Sequence, residues 1–72
     1  MSVHARPGER LTPKEVDVLQ LMSKGYSDEQ IADLLHKSRH TIASRVRSIL
    51  IRLQASNRTE AACRGIREGI IK

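Results

Sequence analysis

The fold is decided by the stretch ADLLHKSRHTI, residues 32–42. Two short helices that cross at a steep angle need a small residue where their backbones approach, and a large apolar residue to fill the angle. Ala32 supplies the first, Ile42 supplies the second, and the polar pair His36-Lys37 lies between them as a turn. Ile31 and Leu35 complete the apolar set. The stretch therefore predicts a helix-turn-helix, although an ordinary helical hairpin uses similar residues.

The helix that follows this turn has the strongest apolar periodicity in the chain. Ser38 is a preferred N-cap residue, and apolar side chains then recur at the spacing of one helical face. These side chains are Ile42, Val46, Ile49, Leu50 and Leu53. We expect this face to pack against the rest of the domain.

Capping signals predict two helices before it. Thr12 with Glu15 forms a capping box with proline at the first helical position, so a helix is expected from Pro13 to about Lys24. A second helix begins after Ser27 and ends near the turn, and its apolar stripe is expected to be Ile31, Leu34 and Leu35.

A fourth helix is predicted to begin at Asn57, with Glu60 three residues on. Its inward residues are expected to be Ala62, Cys63, Ile66 and Ile70. The fold class is therefore all-α, a four-helix bundle with a helix-turn-helix. Residues 1–10, which contain Pro7-Gly8, are expected to form a flexible N-terminal arm, and residues 11–72 the domain.

Composition narrows the class of partner. The 72 residues suffice for one domain, and the formal net charge is +5, from 13 Lys and Arg against 8 Asp and Glu. This balance suits a polyanion such as nucleic acid, because basic side chains release the counterions held by phosphates. A single cysteine excludes an internal disulfide, and neither a membrane-spanning stretch nor a secretory signal is evident. We expect a cytoplasmic protein without a membrane partner, associated with the nucleoid when bound.

The outward face of the helix after Ser38 is the candidate DNA-reading surface. Helical geometry places four residues opposite the apolar face, and we predict them as base contacts: His40, Ala43, Ser44 and Arg47. Four flanking residues are predicted as phosphate contacts: Ser38, Arg39, Thr41 and Arg45. Arg47 suits a bidentate contact to guanine, and Ala43 suits a thymine methyl group. Plain solvation of these side chains is the alternative.

Several short motifs at fixed spacing resemble one known family. They are Leu11-Thr12-Pro13-Lys14-Glu15, Val18-Leu19, Gly25, Ser27, Ile31-Ala32, Ser38, Thr41-Ile42 and Ser56-Asn57-Arg58-Thr59-Glu60-Ala61. Together they resemble the LuxR/FixJ-type (GerE-like) C-terminal DNA-binding domain over about residues 11–71. The resemblance implies a four-helix domain, transcriptional regulation and dimeric binding to paired half-sites. It also implies that the third helix recognises DNA and that the fourth dimerises.

The sequence departs from the family pattern at three places. His36-Lys37 stands where apolar residues are usual, so the turn is expected to pack less tightly. Ala43 stands where a basic residue is common, and Arg45 where histidine is, so the family's base preferences are not transferred. Gln54 stands where glycine is usual, and a left-handed backbone there costs about 1 kcal/mol.

The fourth helix carries a candidate dimerisation surface. Ala61 and Gly65 lie four residues apart and permit close approach of two backbones. Arg58, Arg64 and Glu68 are predicted beside them. A solvated helix face is an equally good interpretation of this pattern. A patch of this size is smaller than a stable interface needs, so we expect a homodimer that is weak without DNA.

Functions other than DNA binding have less support in the sequence. His36 and His40 straddle the turn without a third ligand, and Cys63 has no evident base, so no metal, cofactor or catalytic residue is predicted and the chain is not expected to be an enzyme. The alternatives are an antagonist or protein-interaction module that heterodimerises through the fourth helix, and a sigma-factor-like promoter-recognition domain. RNA polymerase is a further candidate partner. The chain is interpreted either as a standalone regulator or as part of a longer one.

Overall fold

The structure is a computed structural model that describes residues 5–72, and in that range it contains helices and no strand. The four helices are α1 (Pro13–Ser23), α2 (Asp28–Leu35), α3 (Arg39–Leu53) and α4 (Arg58–Arg67). The predicted all-α, four-helix architecture is confirmed. None of the helices in the described range is long and apolar enough to cross a membrane.

Every helix begins at the residue that the capping signals predict. The N-caps are Thr12, Ser27, Ser38 and Asn57. Each side-chain oxygen accepts a hydrogen bond from the N–H three residues further on, at 2.8–3.3 Å. These bonds satisfy donors that the helix itself leaves unpaired, and so they set where each helix starts.

Every helix also ends in the same way, with a residue of positive φ. Gly25 and Gly69 have this conformation after α1 and α4, while His36 (φ 56°) and Gln54 (φ 54°) have it after α2 and α3. The next N–H then returns to a carbonyl five residues earlier, as from Lys37 to Ala32 at 2.9 Å. The two non-glycine residues adopt this conformation at a cost of about 1 kcal/mol each.

The core is aliphatic and lies where α1 meets the other three helices. Its fully buried large side chains are Val18, Leu19, Ile31, Ile42 and Ile49. Leu34 was expected in this core, but 52% of it is exposed. That prediction is wrong because α2 is short and buries Ile31 and Ala32 against the bundle, which turns Leu34 outward.

The predicted inward face of α4 is wrong at Cys63 and Ile66, whereas Ile70, just beyond the helix, packs against the core as predicted. Cys63 is exposed and Ile66 is 53% exposed, whereas Ala61 and Gly65 are buried. A Cβ atom on Gly65 would lie only 2.8 Å from Leu19 Cδ2. The small residues therefore face α1, because they let the two helices approach closely, and they cannot form an exposed dimerisation surface.

The segment before α1 contacts the end of α3. The Gly8 N–H donates to the Arg52 carbonyl at 2.9 Å, and the Glu9 carboxylate lies 3.6 Å from Arg52 Nε. This part of the predicted flexible arm is therefore attached to the domain. Residues 1–4 of that arm lie outside the described residues.

Candidate nucleic-acid interface

The turn between α2 and α3 sets the angle at which α3 leaves the body. Ala32 and Ile42 are both buried, as the spacing predicts, and they lie between the two helices. His36 adopts the left-handed conformation, and main-chain hydrogen bonds from His36 and Lys37 close the turn. The polar side chains at these two positions are exposed. The geometry of the turn is therefore set by the main chain and not by packing of its side chains.

The first half of α3 has one buried side and one open side. Ile42 and Val46 are buried, while His40, Ala43 and Arg47 are exposed. Ser44, the fourth residue predicted to contact bases, is half-buried beside them. The structure thus brings the predicted base-contact residues to one outward face, as the helical period requires.

The residues predicted to contact phosphates lie around this face and differ in exposure and in the partners they already have. Arg39 is highly exposed, and its Nη1 lies 3.7 Å from Glu29 Oε2. Arg45 is half-buried. The Ser38 hydroxyl accepts from the Thr41 N–H at 3.0 Å and donates to the Thr41 hydroxyl at 2.9 Å, so both hydroxyls already have partners within the cap.

The charge of α3 suits a polyanion. The helix contains four arginines and no acidic residue. Arg52 points into the domain, where its side chain is only 16% exposed, and the other three lie nearer the open side. An open groove of about 580 Å³ separates the start of α2 from the start of α3. Its lining residues are Ser27, Asp28, Glu29, Arg39, His40 and Ala43.

A buried carboxylate fixes α3 against α1. Glu15 accepts hydrogen bonds from the Ser48 hydroxyl, from Arg52 and, at 2.9 Å, from the Thr12 N–H. Burial alone raises the pKa of Glu15, but the hydrogen bonds from Ser48, Thr12 and Arg52, with the Arg52 charge, hold that pKa below its ordinary value. The lowered pKa favours the ionised form of Glu15, which holds α3 against α1.

This cluster was not predicted from the sequence. The sequence pattern assigns Glu15 only to the cap of α1 and identifies no partner for it in α3. The available signal was the spacing of Ser48 and Arg52, four residues apart, which puts two donors on one side of α3. Their acceptor lies more than 30 residues away in the chain, and periodicity within one helix does not identify it.

The residues predicted for dimerisation do not form one surface. Ala61 and Gly65 are buried, as described above. Arg58 pairs with Asp28 at the start of α2 and donates to the Tyr26 carbonyl at 3.2 Å. Arg64 Nε lies 3.5 Å from Glu60 within the same helix, and Glu68 is exposed at the end of α4.

A different face of α4 is open. Ile66, Cys63 and Tyr26 border a shallow groove of about 450 Å³ between α4 and the end of α1. Its other lining residues are Met22, Ser23, Gly25, Arg58, Thr59 and Ala62. We call this surface the α4 outer face. Ile66 is exposed on this face, whereas Ala61 and Gly65 are the buried residues of α4. The sequence pattern predicts the reverse arrangement.

Comparisons with known proteins agree with this architecture. The sequence pattern of the GerE family, described as bacterial regulatory proteins of the luxR family, matches residues 9–64. The transcriptional regulatory protein DegU of Brevibacillus brevis is 36% identical over 69 residues, which cover 96% of this chain and 29% of that protein. The response regulator protein VraR of Staphylococcus aureus is 33% identical over 72 residues, all of this chain and 34% of VraR.

A solved structure shows the same fold. The crystal structure of the response regulator ChrA, from a heme-sensing two-component system, superposes with a TM-score of 0.84 and 29% identity. The superposition covers 92% of this chain and 33% of ChrA. The chain thus spans about a third of the length of these relatives. Because the family pattern matches most of its residues, the chain belongs to the luxR family of bacterial regulatory proteins.

Proposed function

We propose that this chain binds double-stranded DNA with sequence preference, through α3 in the major groove, and so regulates transcription. The observation that carries the proposal is the open, arginine-bearing face of α3, which projects from a buried apolar side. An α-helix of this kind fits the major groove, and its N-terminal half reaches base edges. The regulatory names of DegU and VraR support the same conclusion.

The side chains of this face divide into two roles. Arg47 is proposed to donate two hydrogen bonds to guanine, and Ala43 to contact a thymine methyl group. His40 and Ser44 complete the base-reading set. The phosphate contacts are proposed for Arg39 and Arg45, with Ser38 and Thr41 at the start of the helix.

Binding to a random duplex at increasing salt tests the class of function. A DNA reader loses affinity steeply, with a slope of log K against log salt of about −0.9 for each phosphate neutralised. No measurable duplex binding would instead favour an antagonist that acts through α4. Selection of bound sequences from a random pool then gives the preferred site and the spacing of any half-sites.

Arg47→Ala is expected to lower the preference for the selected site over random duplex by about 1–3 kcal/mol, because a bidentate contact to guanine is lost. Competition binding measures this preference directly. Lys72→Ala is the matched control, since it removes one positive charge from an exposed residue whose main chain contacts α1. Full discrimination by the Arg47 variant would show that the assigned face is wrong.

We further propose that two copies occupy paired half-sites and meet through the α4 outer face. Ile66 is more than half exposed, and it lies beside Cys63 and Tyr26 at an open groove. The face is too small for a stable interface in isolation, so DNA is proposed to bring the two copies together. This surface replaces the Ala61 and Gly65 surface that the sequence suggested.

Ile66→Ser is expected to reduce cooperative occupancy of paired half-sites about tenfold, since two partly exposed isoleucines per dimer lose their apolar contact. Footprinting on DNA with one and with two half-sites separates cooperativity from affinity. Leu34→Ser is the matched control, because Leu34 is 52% exposed but lies on α2. Equal cooperativity in wild type and the Ile66 variant would remove this face from the dimer.

Cys63 provides a second, independent measurement on the same face. A short bifunctional maleimide should join two copies of the chain through their Cys63 thiols when paired half-sites are present, and much less without DNA. Cross-linking that does not depend on DNA would contradict a DNA-assembled dimer.

A further inference from the structure

An acidic side chain lies beside the proposed DNA-reading face. Glu29 belongs to the first turn of α2, and its Oε2 atom lies 3.7 Å from Nη1 of Arg39 at the start of α3. Both side chains are strongly exposed, at 73% and 71%. Both residues line the groove that His40 and Ala43 also line. A carboxylate is therefore present at the edge of a surface that is otherwise suited to phosphates.

The neighbouring carboxylate has a different partner. Asp28 pairs with Arg58 of α4, and that pair joins α2 to the rest of the domain. The pair between Glu29 and Arg39 joins two helices that Ile31, Ala32 and Ile42 already hold together by burial. An exposed ion pair adds little to the stability of such a fold. Stability is therefore a weak reason for Glu29 to be acidic.

The position of Glu29 has a direct consequence for DNA binding. A phosphate that contacts Arg39 comes within a few ångströms of the Glu29 carboxylate, well inside the screening length of about 10 Å at 0.1 M salt. The two negative charges then repel each other. In addition, Arg39 is already partly neutralised by Glu29, so its phosphate contact releases less counterion.

We propose that Glu29 limits the affinity of this domain for DNA, by holding Arg39 in an ion pair and by opposing the phosphate that Arg39 contacts. The proposal rests on the proposed function and assigns a regulatory residue to the same surface. Glu29 weakens sequence-independent attraction while the base contacts of Arg47 remain. As a result, base contacts contribute a larger part of the binding free energy than they would without Glu29.

Glu29→Gln is expected to raise the affinity for random duplex about fivefold near 0.1 M salt. The slope of log K against log salt should become steeper by a fraction of the roughly 0.9 that one phosphate contributes, because Arg39 then neutralises its phosphate fully. The same substitution should slightly lower the melting temperature, since a negative charge in the first turn stabilises a helix. A role in folding alone would lower affinity together with stability, so the opposite signs separate the two roles.

Two further variants complete the experiment. Glu9→Gln removes the same charge from a carboxylate that also pairs with an arginine of α3, at Arg52, about 20 Å further along the helix. Its affinity for duplex should stay within twofold of wild type. In an Arg39→Gln background, Glu29→Gln should gain less than it does in wild type, because part of its effect acts through Arg39.

The outcomes distinguish this inference from the proposed function. If wild type shows no salt-dependent duplex binding, the proposed function itself fails. If wild type binds duplex with a steep salt slope but Glu29→Gln binds no more tightly, the role of Glu29 alone is overturned. An equal gain from Glu9→Gln would also overturn it, because the effect would then reflect net charge and not position.

Discussion

Gly65→Leu is expected to unfold most of the domain at room temperature or to lower its melting temperature by more than about 15 °C. A Cβ atom at this position would lie 2.8 Å from Leu19 Cδ2 and 3.1 Å from Ile71 Cγ1. Leu19 is fully buried and Ile71 nearly so. The remaining leucine carbons would have to displace α4 from α1.

The magnitude follows from the small size of the domain. Overpacking by a single methylene group costs about 1–3 kcal/mol, and leucine adds four carbons. A domain of this length has a total stability of only about 4–10 kcal/mol. Each kcal/mol corresponds to about 4–8 °C in melting temperature. Thermal unfolding followed by circular dichroism measures the change.

Cys63→Leu is the matched control for this experiment. It places the same side chain on the same helix, but Cys63 is exposed and lies at the open groove, away from the contact of Gly65 with Leu19. Its melting temperature should lie within a few degrees of wild type. A Gly65→Leu variant that melts like the control would contradict the close approach of α4 to α1.

Glu15→Ala is expected to destabilise the domain by about 3 kcal/mol, or roughly 15 °C in melting temperature. The substitution removes the acceptor for Ser48, Arg52 and the Thr12 N–H together. Arg52 would then keep only the more distant Glu9 carboxylate as an ionic partner. A buried charge that loses its main partner is costly, because its desolvation is no longer offset.

The lowered pKa of Glu15 also predicts how stability depends on pH. Because the pKa in the folded state lies below its ordinary value of 4.5, folding favours the ionised form. The stabilisation is fully present above pH 4.5 and is lost as the pH falls through the lower folded pKa. Denaturant melts at pH 7 and at decreasing acidic pH measure this loss.

Glu15→Gln distinguishes the contribution of the Glu15 charge to stability from that of its hydrogen bond in the cap of α1. Glutamine at this position still accepts from the Thr12 N–H, as in other capping boxes, but it carries no charge. At pH 7 this variant should be less stable than wild type, and the two should converge in acid, where wild-type Glu15 is protonated. A constant difference between them across this range would show that the ionised form of Glu15 is not what stabilises the fold.

The local features of this domain were predictable from the sequence because each depends on neighbouring residues. The N-caps at Thr12, Ser27, Ser38 and Asn57 act over three residues, and the structure has all of them. The apolar face of α3 was also predicted, since Ile42, Val46 and Ile49 repeat at the helical period. The four helices and their order follow from these signals.

The orientation of α4 was not predictable in the same way. The spacing of apolar residues in α4 is compatible with either Ile66 or Gly65 facing inward. The free energy gained by burying apolar surface favours burial of the isoleucine. The structure buries the glycine, because the distance between α1 and α4 leaves no space for a larger side chain. That distance depends on the packing of the whole bundle. The contacts of Glu15 with α3 were missed for the same reason.

The left-handed backbone at His36 affects which side chains the turn between α2 and α3 can carry. Main-chain atoms, through the hydrogen bond from Lys37 to Ala32, hold α3 at its angle to α2. Substitutions at Lys37, and at His36 by residues that tolerate a left-handed backbone such as asparagine or glycine, should therefore leave the angle unchanged. In the proposed complex, side chains at these two positions can vary and make new contacts with DNA while the position of α3 in the groove is preserved.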